Sequence, residues 1–396
     1  VEFFADPAFF VLLAAVVAVA AVLGLTGHSL QRWGLVTSVV FLACLLGSGP
    51  QTVALITFLC VARVCVVVLA GNPGDQQLFY ASAGLTMLPL VVYKLTASSV
   101  SLWGFAGISY VTFKALQVVF EVHDGLIGRD ELGLLDYLSF LLFFPQFTSG
   151  PIDRSRRFLA DAHRVPPQDE YAGMLARGIL LLLAGMGYKL VLAQLAQRWW
   201  VLEPWGDGPF LAELANQVRI TYAYAAYLFF DFAGYSLMAM GASYCLGIRC
   251  PRNFRAPFLA SDVIDFWNRW HITLSTWFRD FVFMRLTRTL MLRGRRRGWR
   301  WARDRVRVAQ VGFVADMLAM GCWHGLTADY LGYGLYHGVL LAGNEWLQKR
   351  SGFYRAHRRD RWMRALMWFV TLQLVMLGFA IFSGQVSYLV KGALNG

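Results

Sequence analysis

Two histidines stand where a titrating side chain is expensive and therefore informative. His324 lies in MGCWHGLT, residues 320–327, between two strongly apolar stretches. Polar side chains at lipid depth are functional by default. Imidazole titrates nearest neutrality of all side chains, which suits proton transfer to or from an alcohol. The competing role is a histidine that ties two helices together by hydrogen bonds, and spacing leaves both open. His271 lies in DFWNRWHITLSTWFRDFVF, residues 265–283. If that stretch is one helix, Trp267, Trp270, His271, Leu274, Phe278 and Phe281 recur at spacings of three and four and form a single aromatic face turned inward. A buried histidine bonded to neighbouring backbone is the competing role here. His28, His123, His163 and His357 fall in connectors and read as solvated, and His337 reads as a packing residue. Cys322, two residues before His324, is expected to be an inert thiol buried in an apolar span. The motifs HExxH and CxxC are absent, as are a Walker loop, a dinucleotide fingerprint and a GxSxG elbow. No metal or permanently bound cofactor is expected.

The elements that position these residues follow from composition. Of 396 residues, 57% are hydrophobic and 15% charged, against roughly 45–50% and about 25% in soluble domains. Mean hydropathy is +0.50, so the chain reads as an all-α polytopic membrane protein. Eleven stretches look able to span: Pro7 to Leu25, Leu35 to Leu46, Val53 to Leu69, Leu78 to Tyr93, Leu102 to Val119, Leu134 to Phe147, Gly178 to Leu195, Ile220 to Leu246, Val308 to Cys322, Tyr330 to Leu347 and Trp362 to Phe382. The first follows acidic Glu2 and Asp6 without a basic leader region and reads as a retained span. The six cysteines read as thiols packed like small apolar groups. No repeat or low-complexity linker divides residues 1–396, which are expected to form one membrane domain.

Charge orients the second half. Arg154, Arg156, Arg157, Arg164 and Arg177 precede the Gly178 stretch, and Glu203, Asp207 and Glu213 follow it. By the positive-inside rule that span runs outward, and the next returns to deliver Arg249, Arg252 and Arg255 to the cytoplasmic side. The net charge of +12 thus marks cytoplasmic loops, and nucleic acid is not expected as a partner. Residues 262–292 carry His271 and are too charged to span. They are flanked by basic clusters, the second being Arg293 to Arg307 with eight arginines, so they should lie along the interface or re-enter. Residues 308–348 should form a helical hairpin with His324 at its turn.

The 265–283 segment followed by Trp323-His324-Gly325 resembles the membrane-bound O-acyltransferase (MBOAT) family. Within that family, GISYVTFKALQVVFEVHDGLI at 107–127, FFPQFTSGPIDRSRR at 143–157, YLFFDFAGYSLMAMG at 227–241 and GYGLYHG at 332–338 resemble the branch that D-alanylates teichoic acid in the Gram-positive cell wall. The resemblance implies a ring of spanning helices, about 11 in number, with interfacial or re-entrant helices around a central funnel. It implies that His324 is the invariant histidine and His271 the second active-site histidine, with Trp267, Trp270 and Trp323 along the tunnel. It also implies a donor, D-alanine on the 4'-phosphopantetheine of a small acidic carrier protein in the cytoplasm. The acceptor is lipoteichoic or wall teichoic acid outside, and accessory membrane proteins assist.

A carrier of that kind needs a docking site. Met284, Arg288 and Met291 share a helical face with Arg285 beside it, so the arginines are expected to steer an acidic carrier while the methionines supply apolar contact. The arginine-rich loop itself suits topology or anionic membrane lipid equally well. Two other functions compete: O-acetylation of an exported polysaccharide such as alginate with the same histidines, and transport of a lipid-linked precursor. Transporters are often built from inverted halves, and no such symmetry appears here.

Overall fold

A computed structural model describes residues 3–96, 104–129, 131–206 and 208–395. Glu2, Asp207 and the first two residues of the 102–119 stretch lie outside the described residues. No strand occurs among the described residues, and the all-helical expectation holds. Among the described residues, six helices are long and apolar enough to cross a membrane by length and composition: Pro7–Leu25, Pro50–Gly71, Gln76–Leu95, Gln168–Gln197, Arg305–His324 and Arg361–Phe382. Length and composition thus do not confirm the count of eleven. The chain divides into two compact units, residues 1–187 with 234–252, and residues 188–233 with 253–396.

The first unit holds α1 (Pro7–Leu25), α2 (Gln31–Leu46), α3 (Pro50–Gly71), α4 (Gln76–Leu95), α5 (Ile108–His123), α6 (Leu134–Leu142), α7 (Ser155–Ala162) and α8 (Gln168–Met186). It also takes the end of α10 (Phe210–Cys245). The stretch Leu134 to Phe147 does not span. At nine residues α6 rises only about 14 Å, and the chain then turns through Phe144–Gln146, where Pro145 cannot continue an α-helix. Helix α5 is buried nearly all round, including Lys114, Gln117 and Glu121, so it is a core helix. Its charges are paired: Lys114 Nζ donates to the Phe140 carbonyl at 2.7 Å, and Ser155 donates to Glu121. Beside them Arg157 pairs with Asp153, and Gln146 Nε2 donates to Asp153 and to Cys250 Sγ, each at 3.2 Å. Burial pushes the Cys250 thiol up to about 12, with Asp153 adding to the shift. The motif segments at 107–127 and 143–157 therefore form a buried polar network that fixes the backbone of this unit. Helix α8 meets the end of α10 through small residues: a Cβ on Gly178 would lie 2.8 Å from the Gly241 carbonyl. Tyr171 on α8 donates to the carbonyls of Ala20 and Cys245.

The second unit begins in a π-turn, Gly187–Leu192, followed by α9 (Ala193–Gln197) and the start of α10. There Lys189 pairs with Asp231. It continues with α11 (Val263–Trp267), α12 (Ile272–Phe278), a π-turn at Arg279–Phe283, α13 (Met284–Arg296), α14 (Arg305–His324), α15 (Ala328–Arg350), α16 (Gly352–His357), α17 (Arg361–Phe382) and α18 (Gln385–Asn395). Helices α14 and α15 form the expected hairpin, pressed together where side chains are absent. A Cβ on Gly321 would lie 2.5 Å from the Tyr330 carbonyl, and one on Gly334 2.5 Å from the Met317 carbonyl. Helix α13 crosses α14 at Gly312, whose Cβ would meet Thr287 at 2.6 Å, and Phe283 stacks on Phe313 at 4.7 Å.

Of the six cysteines, Cys65, Cys245 and Cys250 are buried, but Cys44, Cys60 and Cys322 are exposed. The exposed three sit on apolar helices, where a thiol is as compatible with lipid as with a core.

Candidate active site

The two histidines come together in the second unit, His271 at the start of α12 and His324 at the end of α14. Expected as one helix, the segment from Asp265 breaks between Trp267 and Ile272, and His271 takes a left-handed conformation (φ 43°, ψ 52°) at the N-cap of α12. Asn253 accounts for the break. Its carbonyl accepts from Ile272 N at 2.9 Å and its side-chain oxygen from Thr273 Oγ1 at 2.6 Å, while Arg255 N donates to the Arg269 carbonyl at 3.0 Å. These bonds replace the helical ones lost at the kink, as buried backbone groups require. The left-handed region is uncommon for a non-glycine residue, and strained residues of this kind cluster at functional sites.

His271 is 4% exposed, and its Nε2 has no hydrogen-bond partner. Its ring lies edge-on to Phe232 at 4.6 Å and faces Trp323 at 6.5 Å. Trp323 in turn contacts His324 at 4.5 Å, and the two imidazoles are close enough to interact electrostatically. His324 ends α14 and is half-buried, with Phe382 edge-on at 5.0 Å and Tyr330 stacked at 5.9 Å. Gly325 follows because a Cβ there would lie 2.6 Å from the Tyr330 ring.

The expected aromatic face is buried, but its members part company. Trp270 packs among Phe254, Phe266 and Phe379. Trp267 borders a cavity of about 300 Å³ between α11–α12 and α14 and donates its Nε1 hydrogen to His337 at 3.4 Å. His337 is buried against Gly378 as a packing residue. The cavity also touches Asn268, Ser275, Thr276, Arg279, Asp316 and Met320. It reaches to within one turn of each histidine, Ser275 lying four residues after His271 and Met320 four before His324. Asp262 anchors the segment by accepting from Asn344 and Gln348 of α15, each at 3.1 Å. Burial works against the ionised Asp265 carboxyl, yet hydrogen bonds from Arg269 and Ser261 hold it below its ordinary range.

Met284, Arg285, Arg288 and Met291 share α13 as expected. Met284 is 56% exposed, Arg288 exposed and Met291 half-buried, and the helix leads into the arginine-rich loop. Cys322 is exposed rather than buried, contrary to expectation. It stands two residues from His324, on the opposite side of the helix. Sequence reading passed over Asp316, an acid in the middle of an apolar stretch, which is itself a signal. Among the described residues no three His, Cys, Asp or Glu side chains are grouped as metal ligands.

The MBOAT, membrane-bound O-acyltransferase, family model matches residues 85–377. The chain belongs to the MBOAT family. It is therefore a multi-pass membrane acyltransferase, and the resemblance drawn from its motifs holds. Among similar proteins, a teichoic acid D-alanyltransferase of Bacillus subtilis is 34% identical over 394 residues, covering 95% of this chain and 96% of the relative. One of Streptococcus thermophilus is 38% identical over 330 residues, 78% of this chain and 76% of the relative. The probable alginate O-acetylase AlgI of Pseudomonas aeruginosa is 31% identical over 281 residues, 70% of this MBOAT chain but 48% of the relative.

Proposed function

We propose that this MBOAT protein transfers D-alanine from the phosphopantetheine thioester of a cytoplasmic carrier protein to a hydroxyl of teichoic acid on the other side of the membrane. The observation that carries the reading is the convergence of His271, Trp323 and His324, about one turn from Ser275 and Met320 in the lining of a cavity, in an acyltransferase. The similarity to two teichoic acid D-alanyltransferases supports the choice of acyl group and acceptor.

In this reading His324 takes the proton of the acceptor hydroxyl as its oxygen attacks the thioester carbonyl. The C–O bond forms, the C–S bond breaks, and the imidazolium returns the proton to the departing thiolate. A positioned base is typically worth about 10² to 10⁴ in rate. His271, reached from the cavity side, orients the thioester or assists the thiolate's departure. The carrier docks on Met284, Arg285, Arg288 and Met291, its phosphopantetheine arm entering the cavity, and accessory membrane proteins complete the transfer. Acetyl transfer to a polysaccharide is the second reading, supported by the AlgI relatives over about half their length.

The test is reconstitution in vesicles with D-alanyl-loaded carrier and a poly(glycerol phosphate) acceptor. Loss of thioester matched by ester on the polymer is expected. An intact thioester would leave a transporter or scaffold, and turnover with acetyl thioester alone would favour the second reading.

A further inference from the structure

Asp316 lies two turns before His324 on α14, is 7% exposed, and borders the 300 Å³ cavity. The Phe283 backbone hydrogen-bonds its carboxylate, but Oδ1 has no partner. A buried acceptor left without a donor is costly, and inside an apolar helix pair more so. The cavity beside it is also lined by Met320, one turn before His324, and by Phe283, which immediately precedes α13, so a chain lying in it along α14 would run past Asp316.

Distance selects what that oxygen meets. Residues 316, 320 and 324 follow one another at helical spacing along one side of α14, and eight residues rise about 12 Å. A pantetheine arm carries two amides. With its thioester carbonyl at His324, the amide nitrogen nearer the sulfur falls about 6 Å back, level with Met320, and the farther one about 11 Å back, level with Asp316. Met320 offers no strong acceptor; Asp316 does.

We propose that Asp316 is a positioning residue for the donor, its free oxygen accepting a hydrogen bond from the amide N–H of the pantetheine arm that lies farther from the sulfur. The proposal rests on the acyl-transfer reading above and adds to it the group that sets how far the arm advances. A hydrogen bond to a buried carboxylate is worth about 10- to 100-fold in binding.

Two donors isolate that bond. D-alanyl-pantetheine has both amides, whereas D-alanyl-N-acetylcysteamine ends after the first. Reconstituted wild-type protein should use the longer donor with a kcat/KM about 10- to 100-fold higher, chiefly through KM. Asp316→Ala should pull the ratio of the two donors towards one, and Asp316→Asn, which keeps an acceptor oxygen, should restore most of the preference. Equal use of both donors by the wild type would overturn the proposal, as would an equal fall for both in Asp316→Ala, the mark of a structural role. Calorimetric binding of free pantetheine and of N-acetylcysteamine to the same proteins separates the two claims. A binding preference that collapses in Asp316→Ala without any transfer would keep the arm site and reject D-alanyl transfer. Absence of any binding preference in the wild type would reject the arm site, whatever the transfer result.

Discussion

His271 combines a left-handed backbone with a buried ring whose Nε2 has no hydrogen-bond partner, a costly arrangement that strain and desolvation both oppose. Its type and aromatic neighbours were legible, since Trp267, Trp270, Leu274 and Phe278 are all buried. Its conformation was not, because the break before α12 is held by Asn253 and Arg255, at least 16 residues away, and no local propensity encodes such a bond. Asparagine tolerates the left-handed region better than most residues. His271→Asn should therefore keep thermal stability within about 1 kcal/mol while lowering turnover, less completely than loss of His324 does; unchanged thioester cleavage would return His271 to a packing role. Cys322 gives the converse case. It points to the opposite side of α14 from His324, so Cys322→Ser should leave transfer unchanged, and a deep loss would demand an acyl-thiol intermediate.

Apolar runs located the helices well, because burial and lipid select for the same composition. Pro7–Leu25 has the bounds read from its sequence, and α3, α4, α14 and α17 enclose their runs within a few residues. Two elements departed from that pattern for tertiary reasons. The 134–147 run is apolar because it is packed inside the first unit, and α5 carries Lys114 and Glu121 in its interior because neighbouring backbone and Ser155 satisfy them. The α14–α15 hairpin depends on missing side chains, so Gly334→Leu, driving carbon toward the Met317 carbonyl, should cost about 1–3 kcal/mol and displace Asp316 and His324 together. Thermal melting alongside turnover checks it: both should fall. On α13 the exposed Met284 and Arg288, with half-buried Arg285 beside them, invite an acidic partner. Reversing Arg285 and Arg288 to Glu together should weaken carrier binding at low salt, and wild-type binding should weaken as salt rises. Unchanged affinity in the double variant would move the dock elsewhere.

For the molecule as a whole, composition was enough to make it a membrane protein, and the order of motifs along the chain was enough to place it in its family. Sidedness came from charge alone, and under the proposed function it would make the reaction vectorial, with thioester arriving at the arginine-rich face and ester appearing opposite. An impermeant thiol reagent should accordingly label Val201→Cys from outside intact cells and Arg297→Cys only after permeabilisation. The central claim is transfer across the membrane through His324. It is tested most directly in sealed vesicles with poly(glycerol phosphate) inside and D-alanyl carrier outside, comparing wild type with His324→Ala inserted in the same orientation. The wild type should load the enclosed polymer, and His324→Ala should bind carrier with unchanged affinity yet transfer at least about 10²-fold more slowly. Near-normal loading by a correctly inserted His324→Ala protein would contradict the account.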